Sequence, residues 1–200
     1  MTDRCRLWSD SIQEKERDMT MNSNPYVSAP VLETEHFRLR LVTMEDARDL
    51  LDCYSDEVAQ PFFNADACTG DFRIATEEQM RDCIQAWLGC YARQEFVRWS
   101  ILDRESGRAV GTVEMFGVVG VYGQPRGILR VDVASRYERA ALLGELFSLC
   151  AARLFDLFDV DCMVVKAVPE AEQRRLALKA AGFEPYDFPG RQHYFARQKQ

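Results

Sequence analysis

The chain has 200 residues, of which 47% are hydrophobic and 28% charged, with 11 Gly and 7 Pro. At roughly 150 residues per domain this is one domain with a remainder, and the composition excludes collagen, low-complexity disorder and a pure coiled coil. No apolar run approaches the roughly 20 residues of a membrane helix, and a formal charge of −7 disfavours a general binder of phosphate backbones.

An acidic surface suits cationic or amine-bearing partners better, and neither nucleic acid nor a membrane is an expected partner. Seven cysteines at 5, 53, 68, 83, 90, 150 and 162 form no CxxC pair, and only His36 and His193 could join them. No metal site is expected, because zinc ligands come in close pairs. Scattered thiols fit a reducing cytoplasm, and the first thirty residues lack the apolar region of a secretory signal. The localisation expected is cytoplasmic.

Residues 1–30 read as a tail and linker, with a short helix around Ile12 to Asp18, and Met19 and Met21 inside this tail point to an extension from an upstream start codon. Residues 31–200 read as the folded domain. Phe37, Leu39 and Leu41 alternate with Arg38 and Arg40 as a half-buried strand. Thr43 caps the next helix, with Asp46 completing a capping box and Ala47, Leu50, Leu51 and Tyr54 on one face. Residues 56–74 read as loop. A second amphipathic helix from about Thr76 to Arg93 buries Met80, Ile84, Trp87, Leu88 and Tyr91.

Val97, Trp99 and Ile101 mark a strand that hairpins through 103–107 into a second strand, Ala109 to Phe116. Residues 117–127, with glycines at 117, 120, 123 and 127, read as a hairpin loop, and they lack the Lys of a P-loop. Ile128 to Val133 alternates again, with Leu129, Val131 and Val133 on one face and Ile128, Arg130 and Asp132 on the other. A long apolar helix over about Arg136 to Phe158 reads as the central one. A strand at Asp161 to Ala167, a helix from Pro169 capped at Gly182, and two strands flanking Pro189-Gly190 close the chain. The order is β-α-α-β-β-β-α-β-α-β-β, an α+β fold with a mixed sheet and one parallel strand-helix-strand unit.

This order and four passages resemble the GNAT acyltransferase superfamily, with the ribosomal-protein N-terminal acetyltransferases as the nearest branch. The passages are Leu32 to Arg40 with Thr43 to Ala47; Trp99-Ser100-Ile101 with Val110-Gly111-Thr112-Val113; Asp132 to Glu145; and Ala180-Ala181-Gly182-Phe183. The resemblance covers about residues 31 to 197. It implies acetyl-CoA as cosubstrate and direct attack of an amine on the thioester. It implies pantetheine against Val131 and Val133, and pyrophosphate at Arg136, Arg139, Ala140, Ala141 and Leu142, on a helix N-terminus whose dipole favours it.

Two places depart from the family. Its loop has glycine where Arg139 stands, and Ser135-x-x-Glu138 also reads as a plain capping box that turns a carboxylate toward the anion site. On the last helix, Ala171 and Arg174 stand where the family has Asn and a hydroxyl, and Arg174 reads either as a cation that stabilises the leaving thiolate or as part of an exposed charged face with Glu170, Glu172 and Arg175. Candidate bases are Glu114 and Asp132, mid-strand carboxylates among apolar residues. Glu114 also reads as an outward strand residue, and Asp132 as a partner of Arg130 or of a neighbouring strand. Tyr194 is the candidate proton donor, with Tyr137 and His193 as alternatives that also fit packing roles. Two functions stay open: an N-acyltransferase, or a GNAT-fold binding protein without the standard acetyl-CoA site. A homodimer is left open.

Overall fold

The computed structural model describes residues 24–66, 73–119 and 125–200. The helix expected around Ile12 to Asp18 and the glycines at 120 and 123 lie outside them. Eight strands form one sheet: β1 (Leu32–Glu33), β2 (Phe37–Leu41), β3 (Val97–Asp103), β4 (Ala109–Val119), β5 (Pro125–Val133), β6 (Cys162–Lys166), β7 (Glu184–Tyr186) and β8 (Tyr194–Gln198). Their spatial order is β1-β2-β3-β4-β5-β6-β8-β7. The helices are α1 (Ala47–Tyr54), α2 (Glu77–Ala92), α3 (Ala140–Leu157) and α4 (Glu172–Ala180). The expected α+β mixed sheet is what forms, with the opening strand divided in two by the turn at residues 34–36.

Every strand pair is antiparallel except β5 with β6, which run parallel across the α3 crossover. Leu129, Val131 and Val133 of β5 face α3, whose Leu143, Leu146, Phe147, Cys150 and Leu154 complete the main core. α1 and α2 cover the opposite face through Leu50, Cys53, Tyr54, Met80 and Ile84. The alternation in β5 therefore sorts its side chains as their polarity predicts.

Three local expectations are corrected. The β4–β5 ladder runs through Gly117↔Gly127 to Val119↔Pro125, so the hairpin loop is shorter than residues 117–127. The crossover helix begins at Ala140, after a 3₁₀ turn at Ser135–Tyr137, so Arg136 precedes it. α4 begins at Glu172, two residues beyond the Pro169 turn. Its end matches expectation: Gly182 has φ +78, and Gly182 and Phe183 donate their N–H groups to Lys179 and Leu178, a Schellman motif.

Part of the segment read as linker is seated on the body. Tyr26 packs edge-on against Phe158 at 5.7 Å, and Trp99 Nε1 donates to the Pro30 carbonyl at 2.9 Å. The Tyr91 hydroxyl donates to the Pro25 carbonyl and accepts from the Ala29 N–H.

Candidate functional site

The ladder between β5 and β6 ends at Leu129↔Val165, although β5 continues to Val133. Ala134 donates its N–H to Val110 of β4, so strand alternation turns the backbone groups of Val131 and Val133 toward the β6 side. The strands thus part there, beside the start of α3. Arg139 is the N-cap of α3 at φ −120, an extended conformation open to any residue, so the backbone does not require the family's glycine. Arg136, Arg139 and Ala141 are exposed, Ala140 is half-buried, and Leu142 turns into the core. Arg136 lies over the Tyr137 ring, 5.0 Å from its centroid.

The two departures from the family meet in this gap. Arg174 is a buried residue, not one of an exposed face: its side chain is 2% exposed and forms an ion pair with Glu138, itself 8% exposed. Arg174 Nη1 also donates to the Val131 carbonyl at 2.5 Å. The capping box read at Ser135 and Glu138 does not form. Glu138 donates its N–H to the Ser135 carbonyl within the 3₁₀ turn, its carboxylate goes to Arg174, and Asp56 accepts the Ser135 N–H at 2.7 Å. At the first turn of α3, the Ala140 N–H donates to Gln173 Oε1 at 3.1 Å.

On the α1–α2 face, polar side chains stand in register across three strands. Arg98, Glu114 and Arg130 form one row, and Ser100, Thr112 and Asp132 the next. Glu114 is 1% exposed, which overturns its outward reading; it accepts from Arg98 on one oxygen and from Arg130 on the other, the latter at 2.6 Å. Arg98 also stacks over Trp87, 4.1 Å from the ring centroid. Burial alone would lower the Arg98 pKa, but Glu114, Tyr54 and Asp132 outweigh it and raise it.

Asp132 does not pair with Arg130. Its Oδ2 accepts from the Tyr54 hydroxyl at 3.1 Å and lies 3.8 Å from Arg98, while its Oδ1 is buried without a partner. Burial raises the Asp132 pKa, against the pull of Arg98, Arg174 and the Tyr54 hydrogen bond. Tyr194 of β8 is buried and donates to Asp66 at 3.1 Å; Asp66 also holds Lys166 at 2.6 Å, and its carbonyl accepts from Arg130 at 2.7 Å. One chain of polar contacts therefore joins Asp132, Glu114 and Tyr194. Tyr137 is directed elsewhere, donating to Asp103 at 2.7 Å, and His193 is exposed at φ +65 in a turn.

The linking residues Tyr54, Arg98, Thr112 and Asp66 were not singled out by the sequence. Alternation within β3 held a signal, since Arg98 and Ser100 share the face opposite Val97, Trp99 and Ile101. Tyr54 was hidden because its ring belongs to the apolar stripe of α1. Cys53 and Cys150 are buried with raised thiol pKa values, Cys150 up to about 12, and all five described cysteines are free. No helix among the described residues is long and apolar enough to cross a membrane.

No protein-family model matches the chain. A curated relative, the uncharacterized N-acetyltransferase YoaA of Bacillus subtilis (strain 168), is 26% identical over 84 residues, which is 42% of this chain and 44% of that protein. The matched segment is thus less than half the length of that relative. Among solved structures, the ribosomal-protein-S5-alanine acetyltransferase of Vibrio fischeri has a TM-score of 0.65 at 14% identity, over 85% of this chain and 97% of that one. A GNAT-family acetyltransferase of Bacillus anthracis has a TM-score of 0.65 at 14% identity, covering 85% and 99%. RimL, a ribosomal L7/L12 α-N-protein acetyltransferase in complex with coenzyme A, has a TM-score of 0.65 at 10% identity, covering 84% and 98%. The fold is that of the GNAT acetyltransferases, as the four sequence passages implied.

A CoA thioester is the group this fold implies, and the gap fits it in its backbone: an unladdered β5 edge beside a helix N-terminus. The side chains do not leave that seat open, because Gln173, Arg174 and Glu138 stand in it.

Proposed function

We propose that the chain is a GNAT-type N-acyltransferase that moves an acetyl or other short acyl group from CoA to a primary amine of a peptide N-terminus or small molecule. The observation that carries this reading is the parting of β5 from β6 beside the start of α3. The thioester would supply an activated acyl carbon. Val131 and Val133 would hold its pantetheine by their backbone groups. Arg136, Arg139 and the N–H groups at Ala140, Ala141 and Leu142 would meet the phosphates.

Asp132 is the proton acceptor for the attacking amine. It is one residue from the edge carbonyl of Val131, its Oδ1 has no partner, and burial raises its affinity for a proton. Glu114 has both oxygens engaged by guanidinium groups, so its part is to hold Arg98 and Arg130 in place. Tyr194 plays the same part for Asp66. The expected acceptor is a peptide amine or a small amine, and the free thiols agree with a reducing cytoplasm.

The Arg174–Glu138 pair favours a second reading, a GNAT-fold binding protein that has lost the donor site. One experiment separates the two. Acetyl-CoA is titrated into the protein by calorimetry, and released thiol is then followed with a panel of peptide and polyamine acceptors. Binding, even weak, with thiol release supports the transferase; no thiol release from millimolar acetyl-CoA with any acceptor leaves the second reading.

A further inference from the structure

We propose that Gln173 and Arg174, in the first turn of α4, occupy the donor's own contacts and set how tightly a CoA thioester binds. The inference rests on the donor site described above and concerns what stands in it.

Two adjacent side chains fill two different halves of that site. Gln173 Oε1 accepts from the Ala140 N–H at 3.1 Å, at the first turn of α3, where a phosphate oxygen would accept. An amide oxygen is the same kind of acceptor with less charge. Arg174 Nη1 donates to the Val131 carbonyl at 2.5 Å, on the strand edge where a pantetheine amide would donate. A guanidinium N–H is again the matching donor. Glu138, in the loop between, takes the remaining face of the guanidinium through Nε and Nη2. Two of the backbone groups left over at the parted strands and the helix start, the Val131 carbonyl and the Ala140 N–H, are thus answered by α4 itself.

This arrangement is built into the core. The Arg174 and Glu138 side chains are 2% and 8% exposed, so neither charge can lose the other without finding a new partner. A donor entering the gap must turn Arg174 off Val131 and Gln173 off Ala140, and must leave Glu138 free to turn outward. The wild-type chain consequently binds CoA weakly, and removing these side chains strengthens binding. If they were ordinary donor contacts, removing them would weaken it.

The test is calorimetric titration of CoA into the full chain, into Gln173→Ala, and into Arg174→Ala/Glu138→Gln, which removes the pair without stranding a charge. Binding tighter by severalfold in Gln173→Ala and by about tenfold or more in the double variant is expected. Measurable wild-type binding that stays equal or weakens in the variants overturns the inference and leaves the donor site standing. No heat from any of the three at millimolar CoA overturns both. Thermal melting checks that the double variant folds; if it does not, Gln173→Ala, which leaves the buried pair intact, decides alone.

Discussion

Arg98 of β3 and Glu114 of β4 stand opposite each other in the ladder, with side chains 3% and 1% exposed, and their ion pair is shared with Arg130 of β5. One carboxylate thus answers two guanidinium groups across three central strands. Such a group owes its place to its partners, because an ionised side chain taken out of water is stabilised only by opposite charge and hydrogen bonds.

Glu114→Ala should therefore be among the most destabilising substitutions in the chain. It leaves Arg130 without its counter-charge and Arg98 with only Asp132, 3.8 Å away, a loss of about 3–5 kcal/mol, readable as a lowered urea midpoint. Glu114→Gln keeps the shape and hydrogen-bonding capacity of the side chain and should cost less. A loss below about 1 kcal/mol in Glu114→Ala would show that the arginines find water or other partners.

The sequence exposed most of the fold because the signals were local. Alternation sorted β5 into an apolar α3 face and a polar face, and Gly182-Phe183 marked the end of α4. What it concealed were partnerships between distant residues. Glu138 and Arg174 each looked like a flaw in the family pattern, one a capping carboxylate and the other an exposed cation, yet they are 36 residues apart and bind each other. Neither residue's periodicity names the other, and only the turn of the loop against α4 brings them together. Glu114, Asp132 and Tyr194 were legible as polar residues within strands. Their connection through Arg98, Tyr54, Arg130 and Asp66 was not, since it crosses elements far apart in the chain.

Gly111 makes a specific demand. A Cβ there would lie 2.1 Å from the Asp132 carbonyl oxygen and 2.8 Å from Val133 Cα, both backbone atoms that cannot rotate away. Gly111→Ala should push β5 off β4 just where the proposed donor edge and Asp132 sit. The expected result is a lower melting temperature together with loss of whatever CoA binding the wild type has. A variant with unchanged melting would mean that the strands already have slack at this pair.

Residues 24–30 should contribute to stability. A chain starting at residue 31 loses the packing of Tyr26 on Phe158 and leaves the Trp99 indole N–H without the Pro30 carbonyl. Relative to a chain starting at residue 24, it should lose roughly 1–3 kcal/mol, the cost of a buried donor left unsatisfied. Equal melting temperatures for the two would show that the indole finds water instead.

Asp132 should link stability and function in opposite directions. Burial raises its folded pKa above the ordinary aspartate value. In the pH window between those two values the folded chain holds a proton that the unfolded chain has lost, so stability falls as pH rises through the window and stays lower above it. Asp132→Asn removes the titrating group and that slope with it. At neutral pH the variant should melt a few degrees higher, a gain of about 1 kcal/mol, because an uncharged amide replaces a buried carboxylate with one unpartnered oxygen. In acid, where the wild-type side chain is already protonated, the two should converge. Acyl transfer should move the other way, dropping by about 100-fold or more with the loss of the proton acceptor. Melting curves from acid to neutral pH and thiol-release rates at neutral pH check both halves. A variant less stable at neutral pH would show that the Asp132 charge is needed to hold Arg98 and Tyr54, and undiminished transfer would place the base elsewhere.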